Sequence, residues 1–303
     1  KPSMATLSSP EKKVSGSIID LIVVISLFFA FTTQAQDIRF AQEHVDTEPF
    51  QLVISILEQS IAHYGEGNKL QWVDTTAMNQ PRALRMLESC DADFDVYFSG
   101  YDAEREQRLL QVDFPLTLGL LGVRGFVTTT DRVIDLEADT DNAETWLIGS
   151  GRGWPDTRIM LENRFKVTEA NYENLWAMLG IGRFDVFQRG LQEAQLEIRQ
   201  RGDNLQLLNN VIMVYPLATV LYVNPCKPFL KEQLEEILYS AYADGLVQSI
   251  IYQDPDAALA IMRLNETSVR KIVLTNSETS GAFTAMVDRF WLPEIQQYIK
   301  NTD

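Results

Sequence analysis

The chain has 303 residues, 46% of them hydrophobic, and a formal net charge of -16. That length and apolar content allow a full core in one large or two moderate domains and give no sign of wholesale disorder. The acidic balance argues against nucleic acid or an anionic membrane as a partner, because both reward a basic surface.

Lys12 and Lys13 precede an apolar run from Leu21 to Phe31, and Thr33-Gln34-Ala35 follows. This is the order of a secretory signal, with small residues where a signal peptidase reads, so residues 1–35 are expected to be removed on export and Met4 to be the start. The run is too short to span a bilayer comfortably, and no later stretch approaches that length. Removal takes away Lys1, Lys12 and Lys13 against Glu11 and Asp20, which moves the formal charge from -16 to -17.

From Asp37 the pattern alternates. Asp37 to Gln42 reads as a strand; Phe50, Val53, Ile54, Leu57 and Ile61 recur at helical spacing until Gly65 offers a stop. Lys69 to Val73 is the second strand, Pro81 to Cys90 the second helix and Phe94 to Phe98 the third strand, ending at Ser99-Gly100. Glu104-Arg105 follows on a polar helical turn, and Phe114-Pro115 opens an extended segment that ends at Arg124. After Thr128, Leu147-Ile148 is a brief strand leading through a glycine-rich turn to a helix over Asp156 to Phe165, where Pro155 suits the first turn. Tyr172, Leu175, Trp176 and Leu179 mark a helix, Phe184 to Phe187 a strand, and Leu191 to Arg199 a helix. Val211 to Val223 supplies extended segments broken by Pro216, and Phe229 to Ala243 returns to a helix. Residues beyond Asp254 read as helical or irregular. Such alternation predicts an α/β fold with helix-covered parallel strands.

Cys90 and Cys226 are the only cysteines. An even count in an exported chain permits one disulfide, but the spacing does not establish that the two approach, and general burial tendencies favour buried free thiols. His44 and His63 have no ligand spacing around them and read as ordinary loop and helix-end residues, so neither a metal nor a cofactor is expected.

The run FDVYFSGYDAEREQRLLQVDFPLTLGLLGVR from Phe94 to Arg124 resembles the bacterial extracellular solute-binding protein family 3, whose members serve amino-acid importers. That family shows a similar succession of a strand ending in Ser-Gly, a Glu-Arg pair, a Phe-x-x-Pro-like element and an arginine. The resemblance covers most of Asp37 to about Ile251 and matches poorly beyond. It implies a two-lobed periplasmic-binding-protein-like fold of type 2, with residues 36–127 and 219–303 as a discontinuous first lobe, residues 128–218 as an inserted second lobe, and two hinge crossings. A ligand would sit between the lobes, where strand ends and helix N-termini expose backbone groups.

On this resemblance Arg124 holds a ligand carboxylate, for which its fork of donors is suited; a structural ion pair is the competing reading. Ser99 and Gly100 offer a hydroxyl and backbone groups, and Phe50 stacks on the ligand or packs in the core. In the turn from Gly149 to Thr157, Trp154-Pro155 occupy the place of the family's hydroxyl residue, with Asp156 and Thr157 just beyond. Thr157 could replace the lost contact, and Trp154 could stack on the ligand or pack between helices. Gly182 to Gly190 resembles the family's Gly-Arg-x-Asp strand, but Gly190 stands where an aspartate usually grips an α-ammonium, beside Arg189. A pocket containing Arg189 favours a ligand with a second acidic or polar acceptor group; solvent exposure of Arg189 is the alternative, and Glu193 could restore amine binding. Asp185 reads as structural, and Arg105 as the partner of a nearby acid.

The expectation is a periplasmic monomer without catalytic activity: it captures a small polar or anionic solute and hands it to an inner-membrane ABC permease. A ligand sensor for a membrane receptor and a periplasmic enzyme on the same fold are the rivals. No paired nucleophile and base is present to support the enzyme.

Overall fold

The computed structural model describes residues 37–42 and 50–300. The expected signal segment and His44 lie outside the described residues.

β1 (Asp37–Gln42), α1 (Gln51–Tyr64), β2 (Lys69–Asp74), α2 (Gln80–Glu88) and β3 (Val96–Gly100) follow the alternation that hydrophobic spacing predicts. Local chemistry sets their ends. Gly65 caps α1, and the Asn79 side chain accepts from the Arg82 amide at the start of α2, where Pro81 has no amide hydrogen to lose. The chain continues through α3 (Ala103–Arg108) and β4 (Leu110–Val112) to β5 (Val123–Thr129). The segment from Phe114 to Arg124 is therefore not one extended run. Left-handed backbone at Leu118 and Gly119 bends it, and Arg124 is the second residue of β5.

Next come α4 (Val133–Ala138), β6 (Leu147–Gly151), α5 (Pro155–Glu162), β7 (Lys166–Ala170), α6 (Tyr172–Gly180), β8 (Val186–Gly190), α7 (Leu191–Arg201), β9 (Leu205–Leu207) and β10 (Val211–Val214). After Pro216 the chain enters β11 (Thr219–Val223), then α8 (Pro228–Ala243), α9 (Leu246–Gln253), α10 (Pro255–Asn265), β12 (Arg270–Val273), α11 (Gly281–Phe290) and α12 (Pro293–Ile299). Leu234, Ile237, Leu238 and Ala241 form the buried stripe of α8, at the spacing of one helix face.

The strands form two sheets. The first runs β2-β1-β3-β11-β4, with β1, β2 and β3 parallel and β11 antiparallel to both of its neighbours. The second runs β12-β10-β5-β8-β6-β7, with β9 also paired to β5. The chain passes from the first sheet to the second between β4 and β5 and returns between β10 and β11. It crosses again in its last fifty residues, where β12 lies parallel to β10, with Val211 opposite Arg270 and Val214 opposite Val273. Arg270-Lys271 on this edge strand hide it from a reading based on apolar runs, and charged residues on an edge limit pairing with other chains.

Cys90 and Cys226 form a disulfide, with Cα atoms 6.3 Å apart. This overturns the expectation of buried free thiols: Cys90 is half-buried and Cys226 exposed. Strand order brings them together. β11 returns antiparallel beside β3, so the turn after β11 reaches the connection between α2 and β3, where the Asn224 amide donates to the Asp95 carbonyl at 2.9 Å. Beside it, the buried Asp95 carboxylate receives Arg39 Nη2 at 2.8 Å and Lys227 Nζ at 2.7 Å. Burial opposes its ionisation, but the hydrogen bonds from these two cations outweigh it and hold the carboxyl below its usual range.

Candidate functional site

The ends of strands from both sheets meet at one cavity. β3 ends in Phe98-Ser99-Gly100, and β11 starts beside it with Thr219 opposite Gly100. In the second sheet β5 begins where β8 ends, placing Arg124 opposite Gly190 and next to Arg189, while β6 ends at Gly151 just before Trp154-Pro155-Asp156. Phe50 and Val53 from the start of α1 and Gln80 from the start of α2 complete the first side; Leu121, Tyr172 and Glu193 also line the space. The empty volume is about 670 Å³, part of it open to solvent.

Seven of the eight residues singled out from sequence line this cavity: Phe50, Ser99, Gly100, Arg124, Trp154, Asp156 and Arg189. Thr157 does not. It lies one residue further into α5, so its hydroxyl turns to Ser150 Oγ at 2.8 Å instead. The Phe50 ring packs on Phe98 with centroids 5.7 Å apart, joining the core and the cavity wall at once.

The second sheet's wall is charged and internally paired. Arg124, 3% exposed, donates Nη2 to Asp156 and Nε to the Tyr215 hydroxyl at 3.1 Å, and that hydroxyl donates to Asp156 at 2.6 Å. Burial, assisted by Asp156, pushes the Tyr215 phenol well above its ordinary value, so it stays a donor. Arg124 is thus in the ion pair that the sequence left as its alternative role, and the partner is another predicted site residue.

Arg189 is 4% exposed, not at the surface. Glu197 takes its Nε and Nη2 at 2.6 Å each, and Glu193 takes Nη2 at 3.0 Å. The guanidinium carbon lies 5.0 Å from the Trp154 ring, 5.3 Å from Tyr172 and 5.4 Å from Phe187, within cation–π range of all three. A Cβ on Gly151 would come within 2.2 Å of the Trp154 ring, so only glycine lets the indole lie across the end of β6. Burial pushes the Glu193 carboxyl above its usual range; Arg189 and Arg124 oppose this, while Glu197 and Asp156 add to it.

The first sheet's wall is neutral apart from Arg105 behind it. Arg105 Nη1 donates to Ser99 Oγ at 2.8 Å and the Gly100 carbonyl at 3.2 Å; Nη2 donates to Gln80 Oε1 at 3.0 Å and the Gly153 carbonyl at 2.8 Å. The expected acidic partner is absent among the described residues, and four neutral acceptors replace it. The last of them follows β6, so Arg105 ties the two sides together, and Gly153 adopts the left-handed φ of +75° that presents this carbonyl. Arg158 of α5 makes a second tie, 3.3 Å from Asp102. Asp185 behaves as the structural residue expected, accepting from the Leu147 amide at 2.7 Å and pairing with Arg132 at 2.6 Å.

Thr219, Tyr172 and Tyr215 were not singled out as site residues. Tyr172 was visible only as a member of an apolar helical stripe, and Thr219 and Tyr215 follow no motif; strand order alone brings them here. No group of His, Cys, Asp and Glu among the described residues is arranged to hold a metal ion, and no described helix is long and apolar enough to cross a membrane.

Neither a family model nor a curated protein matches the sequence. Solved structures do match in fold. An ancestral arginine-binding protein bound to arginine is 16% identical, with a TM-score of 0.54 over 72% of this chain and 98% of its own. An amino acid ABC transporter substrate-binding protein from Streptococcus pneumoniae bound to L-arginine is 16% identical, with a TM-score of 0.53 over 73% of this chain and 94% of its own. The VFT2 domain of Bordetella pertussis BvgS is 18% identical, with a TM-score of 0.54 over 71% of this chain and 91% of its own. The chain has the two-lobed α/β fold of these proteins.

Proposed function

We propose that this protein is a periplasmic solute-binding protein, which captures a small solute with an anionic or acceptor-rich group between its two lobes and delivers it to an inner-membrane ABC permease. The observation that carries this reading is the single cavity lined from both sheets, by Ser99, Gly100 and Thr219 on one side and Arg124, Trp154, Asp156 and Arg189 on the other. A solute touching both walls gains contacts that exist only when the walls are close, which is the condition for closure on binding. Arg105 and Arg158 would act as latches, since each already bonds across the two sides. Arg105, whose charge no carboxylate offsets at hydrogen-bond distance among the described residues, is also the cation best suited to attract an anion to the first wall. Lobe crossings between β4 and β5 and between β10 and β11 belong to the same proposal, as does binding without catalysis.

A sensing role on the same scaffold is the second reading, favoured by the likeness to the BvgS domain. Thermal melting of the purified protein against amino acids, 2-oxo acids, dicarboxylates, sugar acids and small peptides tests the shared premise. A ligand selective for the native state at about 100 times its Kd adds about 2.7 kcal/mol. A selective rise in Tm is expected, and its loss in Arg105→Ala and Arg124→Ala would locate the site. Isolation of the protein with a permease and its ATPase supports transport; isolation with a membrane receptor supports sensing. No shift with any compound, together with mass spectrometry showing no carried-over ligand, refutes solute binding.

A further inference from the structure

The second wall already contains a cation in surroundings that suit a cation. Paired carboxylates and aromatic faces are the means by which proteins hold ammonium and guanidinium groups of ligands. Here the chain fills such a cage with its own side chain. Glu197 grips Arg189 at two points, Glu193 adds a third, and Trp154, Tyr172 and Phe187 surround it. The Tyr172 hydroxyl donates to Glu197 Oε1 at 2.7 Å, which closes the cage from the far side.

The remaining carboxylate of this wall is engaged through one oxygen, since Asp156 Oδ1 receives both Arg124 and Tyr215. Each of Asp156, Glu193 and Glu197 therefore has an arginine partner. Among the described residues, Nη1 of Arg124 and Nη1 of Arg189 donate no bond within this network. An ammonium group brought to the Glu193–Glu197 cage finds it filled by the Arg189 guanidinium, whereas a carboxylate or keto oxygen at this wall meets arginine N–H donors.

We propose that Arg189 is a specificity-determining residue that excludes amines, so that the solute is a carboxylate lacking an ammonium group, such as a 2-oxo or 2-hydroxy acid, with its apolar body against Phe50, Phe98 and Trp154. This rests on the solute-binding reading above. It separates the chain from proteins of the same fold whose bound ligand is arginine.

The test uses triplets that differ only at carbon 2: phenylalanine, phenylpyruvate and phenyllactate; leucine, 4-methyl-2-oxopentanoate and 2-hydroxy-4-methylpentanoate; glutamate, 2-oxoglutarate and 2-hydroxyglutarate. Calorimetry on the wild-type protein is expected to find, in at least one triplet, the oxo or hydroxy acid binding ten times or more tighter than the amino acid. Tighter binding of the amino acids overturns the role of Arg189 and leaves the solute-binding reading standing. Binding of uncharged solutes alone overturns the carboxylate class. Binding of nothing, here or in the wider panel, overturns both proposals. Arg189→Ala opens the cage, so methylguanidinium is expected to raise the Tm of that variant and not of the wild type. Should Arg189→Ala fail to fold, Arg189→Met with Glu197→Gln removes both charges; discrimination by carbon 2 is then expected to shrink toward parity, and a ratio unchanged from wild type refutes the proposal.

Discussion

The wall built by the first sheet and the wall built by the second handle charge in opposite ways. Around Ser99, Gly100 and Thr219 the side chains are neutral, and the one buried cation, Arg105, is held by hydroxyl, amide and carbonyl oxygens. Around Arg124 and Arg189 the cations are matched to Asp156, Glu193 and Glu197 within a few ångströms. A guanidinium with neutral acceptors keeps its field available to an anion, whereas one bound to carboxylates is largely neutralised and serves shape and selection. The first half also carries the disulfide, away from the cavity.

The largest expected effect lies in the first half. The disulfide spans 136 residues of sequence, and loop-closure entropy for a loop of this size amounts to about 4–5 kcal/mol, so Cys226→Ser is expected to lower the urea midpoint strongly while leaving the cavity's chemistry intact. In the second half, Arg189→Ala leaves Glu197 buried without its cation and is expected to cost about 3–5 kcal/mol. Arg201→Ala, which removes an exposed pair with Glu173, should cost under about 1 kcal/mol. Near-equal losses in those two variants, measured by urea unfolding, would contradict the distinction between a buried network and a solvated one. Gly151→Ala forces the Trp154 ring off the cage and should cost about 1–3 kcal/mol, with a change in indole fluorescence.

The smallest effect is a pH dependence at Glu193. The facing groups are Arg189 on β8, Glu197 on the same helix, Arg124 on β5 and Asp156 on α5. Because its carboxyl is raised on folding, the native state takes up a proton. The associated stability is fully present below the ordinary glutamate value near 4.5 and is lost as pH rises through the raised value. Glu193→Gln should flatten that part of a profile of unfolding free energy against pH, and an unaltered slope would remove Glu193 from the coupled network. Asp95, on the first half, provides the opposite sign. Its carboxyl is held low, so its contribution is present above about its ordinary value of 3.8 and fades as pH falls below it.

Much of the order of elements was legible because helices and strands write their own periods into short windows. The buried stripe of α8 and the stop of α1 at Gly65 depend on residues a few positions apart. β12 was not legible, since Arg270 and Lys271 interrupt the apolar pattern and its pairing with β10 lies about sixty residues away. The candidate residues at strand ends were recognisable as residues, but their partners were not. Arg124 meets Asp156 thirty-two positions on, and Tyr215 ninety-one positions on. Arg105 offered a charge with acids nearby in sequence, yet its guanidinium turned to neutral acceptors.

By itself, then, the sequence determined an acidic α/β chain with its strand–helix alternation and a short list of side chains with suitable chemistry, because propensity, capping and hydrophobic period are local. Only the tertiary structure decided that Cys90 and Cys226 pair, that Thr157 turns away, that Arg124 is neutralised by Asp156 and that Arg189 is caged. Each of these depends on which strand ends lie side by side, and a buried charge takes the partner that this juxtaposition brings within hydrogen-bond reach, however far off it stands in the chain.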